Sequence, residues 1–93
     1  MYQVKVLRTA KQDLFEINIY LKQFSNATPE KFFKKLYDSM SRLSVFPEYG
    51  VKVKTKFGEF RQIVVSDYLV FYSVDKEKEL VEIKRIIHDK VSR

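Results

Sequence analysis

The sequence contains no cysteine, which excludes a disulfide framework and any thiolate metal site and fits a cytoplasmic protein. It has no apolar run approaching the ~20 residues that a bilayer-spanning helix needs, so no membrane segment is expected. The first residues, MYQVKVLRT, lack the apolar core of a secretory signal and alternate as a strand does. No repeat, low-complexity tract or linker interrupts the chain. There is one histidine, His88, so any imidazole chemistry has to run through that residue.

What is present is a compact, basic composition. Ninety-three residues suffice for one domain, spanning 1–93, and 45% hydrophobic content with 15% aromatics marks a globular chain. The net charge is +6, and residues 51–66 hold Lys52, Lys54, Lys56 and Arg61 against Glu59 alone. A basic stripe of that kind suits an anionic partner, whether nucleic acid or an acidic protein segment.

Tyr2–Leu7 alternates as a first strand. Thr9-Ala-Lys-Gln12 has the form of a capping box, and Ala10, Leu14, Ile17, Leu21 and Phe24 make one apolar stripe of a helix ending near Gln23. Thr28-Pro29-Glu30 starts a second helix, with a hydroxyl cap, a proline where its missing N–H is harmless, and a carboxylate at the positive end of the dipole. That helix carries Phe32, Phe33, Leu36, Met40 and Leu43 and has to finish before Phe46-Pro47. Phe57–Val65, Tyr68–Val74 and Leu80–His88 read as strands, joined by turns at Ser66-Asp67 and Asp75–Glu79. The apolar run Tyr68–Val74 is expected to be covered on much of both faces. The alternation of the last strand slips at Ile86 and Ile87, which predicts a bulge that re-aims Arg85 and His88. The expected fold is α+β, in the order β-α-α-β-β-β, with a helical hairpin on one face of an antiparallel sheet.

With these elements placed, four stretches resemble the RelE/ParE toxins of type II toxin–antitoxin systems. They are Ala10-x-x-Asp13-Leu14-x-x-Ile17, Leu43-x-x-Phe46-Pro47-x-x-Gly50, Phe60-Arg61-x-Ile63-Val64-Val65-x-x-Tyr68-Leu69-Val70-Phe71-Tyr72-x-Val74-Asp75, and Val81-x-Ile83-x-Arg85-Ile86-Ile87-His88. The resemblance implies a cytoplasmic, growth-inhibiting protein silenced by a cognate antitoxin, with no small-molecule cofactor and no metal. It leaves two targets: DNA gyrase, inhibited by ParE-like members, or mRNA on the ribosome, cut without metal by RelE-like members. The Leu-x-x-Phe-Pro signature and the Arg-Ile-Ile-His ending lie nearer the ParE side. Leu69 stands where RelE-like nucleases tend to have arginine, and the tail after His88 has no tyrosine.

Three sets of residues are candidates for the function. Lys52, Lys54 and Lys56, if extended, put three ammonium groups on one face for phosphate or target contact. The same row equally suits a solvated edge that discourages strand pairing. Lys90 in the tail and Arg61 join the target-binding set, although Arg61 is equally suited to a structural pair with Glu59 or Asp67. For a nuclease, His88 with Arg61 and Arg85, helped by Lys54, would supply acid–base and phosphorane-stabilising groups. The Asp75, Glu77 and Glu79 run alternates with lysines and reads as a solvated turn. The aromatics of residues 57–72 read as sheet core before they read as base-stacking platforms.

Overall fold

The computed structural model describes residues 1–24 and 28–89. The chain runs β1 (Gln3–Val6), α1 (Arg8–Leu21), α2 (Pro29–Val45), a 3-10 turn at Pro47–Tyr49, β2 (Val51–Thr55), β3 (Gly58–Val65), β4 (Tyr68–Asp75) and β5 (Leu80–His88). The α+β class stands, but the sheet has five strands in the order β1-β5-β4-β3-β2. The stretch from Val51 supplies the additional strand. The sheet is also mixed, because β1 runs parallel to β5, pairing Gln3 with Leu80 through Val6 with Ile83. Alternation in a sequence marks a strand without naming its neighbour. The helical crossover between β1 and the later strands permits the parallel pairing that a short turn forbids. No described helix is long and apolar enough to cross a membrane.

α2 starts as its sequence dictates: the Thr28 hydroxyl accepts the Lys31 N–H, Pro29 follows, and Glu30 lies in the first turn. α1 does not. Its N-cap is Leu7, without a side-chain bond, and Thr9 lies inside the helix and donates its hydroxyl to the Lys84 carbonyl at 2.6 Å. The expected capping box therefore does not form, since the Thr9 hydroxyl serves the edge of the sheet and Gln12 turns to Glu16.

Both helices bury their apolar stripes on one face of the sheet. Ala10, Ile17 and Leu21 of α1 and Phe32, Leu36 and Leu43 of α2 meet Ile63, Val65, Tyr68, Val70, Tyr72, Val81, Ile83 and Ile86. The phase of β5 changes where expected. Phe71 pairs with Arg85 but Tyr72 pairs with Ile83, so Lys84 is the extra residue of a bulge. The bulge moves the buried positions from Val81 and Ile83 to Ile86. β4 departs from expectation, because the residues between its buried ones, Leu69, Phe71 and Ser73, are only half-buried. No described element covers that face, which becomes relevant below.

Candidate target-binding surface

β2 lies at the outer edge of the sheet, paired only with β3. Lys52 stands opposite Arg61 and Lys54 opposite Glu59, and directly opposed residues of an antiparallel pair share a face. Two of the three lysines therefore share a face as expected. Lys56 does not belong to the row. The strand ends at Thr55, and Lys56 sits in the turn to Gly58 with its ammonium 5.3 Å from the centre of the Phe57 ring. The turn needs Gly58, whose φ of 123° lies where side chains are strained. Lys90 lies outside the described residues.

Arg61 is built into the fold. Its guanidinium donates to the Gly50 carbonyl at 2.7 Å, the Glu48 carbonyl at 3.1 Å and the Glu48 carboxylate at 3.3 Å. Its side chain is only 17% exposed. The ion-pair partner is thus Glu48 rather than Glu59 or Asp67. The reason is that the 3-10 turn at Pro47–Tyr49 brings Glu48 back over β3, which sequence distance conceals. The same turn is held from below by Tyr72, whose hydroxyl donates to the Pro47 carbonyl and accepts the Gly50 N–H, both at 2.8 Å. Burial raises the Tyr72 pKa above 10.0, an effect that the Gly50 N–H and the nearby Arg61 oppose. Lys76 adds a second cation 3.5 Å from the Glu48 carboxylate. The result is a shallow cleft of about 240 Å³ bordered by Glu48, Lys52, Arg61, Tyr72 and Lys76.

Arg85 and His88 lie on β5, Arg85 level with Phe71 and His88 with Tyr68, where β4 begins. Beyond Ile83, β5 has no β1 partner, and α1 seals that edge with side chains. Asp13 accepts the Ile86 N–H at 2.8 Å and the Arg85 guanidinium at 2.8 and 3.1 Å. The bulge brings Arg85 within this reach. These bonds raise the Arg85 pKa above the ordinary arginine value, against a smaller opposing effect of burial. His88 meets Tyr68 edge to face at 5.0 Å, in a cleft of about 520 Å³ bordered also by Ile17, Tyr20 and Ile87. Burial, with Tyr20 and Asp67 nearby, raises the Tyr68 pKa above 10.0.

The proposed acid–base set is therefore not brought together. Lys54 is level with Glu59 and His88 with Tyr68. At about 3.3 Å per residue and about 4.8 Å per strand, these positions are roughly 25 Å apart, and Arg61 is roughly 16 Å from His88. Among the described residues, no three His, Asp or Glu side chains converge as metal ligands do. Asp75 accepts the Lys78 N–H at 3.1 Å within its turn.

Asp13 was present in the first motif but without a role, because its partners lie 72 and 73 residues away. Removing it tests the seal. Asp13→Ala strands a part-buried N–H and a cation, and the expected loss is about 2 kcal/mol of unfolding free energy in urea. Asp13→Asn, whose amide oxygen still accepts from Ile86, should lose less. Equal stability of wild type and the alanine variant would show that the seal carries nothing.

The face of the sheet away from the helices is apolar and open. Val51 and Val64 are 69% and 65% exposed, and Val53, Phe60, Leu69, Phe71 and Ile87 are half-buried. Phe15 on α1 is 60% exposed, whereas Phe33 on α2 packs partly into the core.

Residues 4–92 match the family model of the ParE toxin of type II toxin-antitoxin systems. No curated protein matches the sequence. Among solved structures, a chain of the RelBE2 toxin–antitoxin complex from Mycobacterium tuberculosis is similar with a TM-score of 0.71 at 22% identity, over 94% of this chain and 90% of that one. A metal-bound toxin from Helicobacter pylori is similar with a TM-score of 0.67 at 18% identity, over 98% of both chains.

Proposed function

Since the chain belongs to the ParE toxin family of type II toxin–antitoxin systems, we propose that it arrests growth in the cytoplasm by binding and inhibiting DNA gyrase, without cutting RNA itself. The observation that carries this reading is the commitment of both candidate arginines to internal carboxylates, Arg61 to Glu48 and Arg85 to Asp13. A metal-free nuclease has to stabilise the charge of a phosphorane with cations held at the scissile phosphate. Here each guanidinium is already paired with a carboxylate, and the two lie two strands apart, level with Tyr72 and Phe71, which face opposite sides of the sheet. The exposed lysines of β2 and the open apolar face instead suit contact with a large macromolecular partner, where many modest contacts sum. The cognate antitoxin silences the toxin by covering the β2 edge, where the lysine face and the apolar face meet.

The test is induction of the protein in cells, with mRNA integrity, plasmid supercoiling and the SOS response followed in parallel. Loss of negative supercoiling and SOS induction with intact mRNA is the expected result. Discrete mRNA cuts that require ribosomes, with supercoiling unchanged, would establish the endoribonuclease instead.

A further inference from the structure

The outer side of β2 carries backbone groups that no described residue satisfies. The hairpin between β2 and β3 closes on the pair Thr55 and Gly58, and Val53–Phe60 and Val51–Gln62 follow in the register. In an antiparallel ladder the bonded pairs alternate, so Lys52 and Lys54 turn their N–H and C=O groups away from β3. β2 ends the sheet, and among the described residues no hydrogen bond reaches those outward groups. The lysine side chains likewise have no ion-pair partner among the described residues. This edge has two chemically distinct faces, one with Lys52 and Lys54 and the other with Val51 and Val53.

We propose that β2 is the docking edge for one extended segment of the cognate antitoxin, a strand alternating acidic with apolar residues that adds to the sheet outside Lys52 and Lys54. The inference rests on the reading of the chain as an antitoxin-silenced toxin and specifies how the partner engages it. When the strand adds antiparallel, its residues opposite the lysines share their face and exchange main-chain bonds with them, so carboxylates belong there. The alternate residues continue the apolar face begun by Val51 and Val53. Antiparallel pairing of β2 with a second copy of itself sets lysine opposite lysine on one face, which disfavours that self-association. Lysines on a short edge strand protect against self-association, and that protection does not extend to an acidic strand. Occupation of β2 would also remove Lys52 and Lys54 from contact with the target.

The experiment uses the full chain labelled with ¹⁵N and a blocked synthetic peptide of alternating Glu and Val. A peptide of alternating Lys and Val and an oligouridylate serve as the comparison ligands. The expected result is shifted resonances and slowed exchange at the Lys52 and Lys54 amides, with the exchange of the Val53 amide, already bonded to β3, unchanged. Lys54→Pro removes one outward N–H and leaves the bonds to β3 intact, and it should weaken binding roughly fivefold. The double variant Lys52→Glu/Lys54→Glu keeps every backbone group and should reverse the preference, binding the Lys–Val peptide. Unperturbed Lys52 and Lys54 amides at millimolar Glu–Val peptide overturn the proposal. So does equal binding of the Lys–Val peptide by the wild type, or stronger perturbation of β2 by oligouridylate. Growth arrest and supercoiling are read without any peptide, so a toxic, gyrase-inhibiting protein that ignores the peptide overturns the docking edge alone.

Discussion

Charge reversal at Lys52, Lys54 and Lys56 together is expected to abolish growth arrest, whereas His88→Ala leaves killing at the wild-type level. The lysines are exposed, and a localised charge row contributes on the order of 10–10³ to the rate at which an oppositely charged partner is captured. Reversing it turns capture into repulsion, and the β2–β3 ladder is untouched because its bonds are main-chain. His88 stands at the opposite corner of the sheet, packed against Tyr68. One imidazole in a broad interface matters little, but loss of an acid–base group costs a nuclease on the order of 10²–10³ in rate. The decisive pair of outcomes is read as colony formation after induction, with supercoiling measured in the same cells. Killing by the charge-reversed variant would exclude the lysine row as the target contact. Rescue by His88→Ala would point to catalysis. Arg61→Ala is a poor discriminator here, because removing that guanidinium releases the Glu48–Gly50 turn whatever the mechanism.

Gly50→Ala is expected to destabilise the protein by about 3 kcal/mol, the upper end for overpacking and a large share of the roughly 5–15 kcal/mol that holds a typical domain. The backbone at Gly50 is ordinary, with φ of −73°, so conformational freedom is not the reason for glycine. The reason is space. A methyl group there would lie 2.5 Å from the Tyr72 hydroxyl and 2.8 Å from the Gln62 carbonyl. Tyr72→Phe alone leaves the buried Gly50 N–H without its acceptor, at a cost of about 1–3 kcal/mol. Because phenylalanine removes the oxygen that the methyl group meets, the two substitutions should not add. The double variant is expected to be more stable than the sum of the single effects, though still below wild type, since the ring carbon and the Gln62 carbonyl remain close. Urea unfolding of the four proteins gives the comparison, and strict additivity would mean that the clash is relieved elsewhere.

Much of the architecture was legible because it follows from local rules. The Thr28-Pro29-Glu30 start, the stripe from Phe32 to Leu43, the Ser66-Asp67 turn and the phase slip at Ile86 each have a cause within a few residues, and each is found in the structure. The period of two also placed Lys52 and Lys54 on one face. Lys56 escaped because a hairpin turn begins at that point, and no periodicity marks where a strand stops. Thr9 was misread for a related reason: a hydroxyl near a helix start has a local partner available, but Lys84 at the sheet edge takes it.

What the tertiary structure alone decided are the partnerships between distant residues. Arg61 with Glu48, Tyr72 with the Pro47–Gly50 turn, and Asp13 with Arg85 and Ile86 join positions 13 to 73 residues apart. Composition says that a charge exists, but only the folded chain says whether a countercharge has already claimed it. The four motifs were enough to read off the family. The commitment of Arg61 and Arg85 to internal carboxylates, and the lack of an ion-pair partner for Lys52 and Lys54 among the described residues, depend on which strands become neighbours, and β1 beside β5 and β2 at the edge were set by packing rather than by any local pattern.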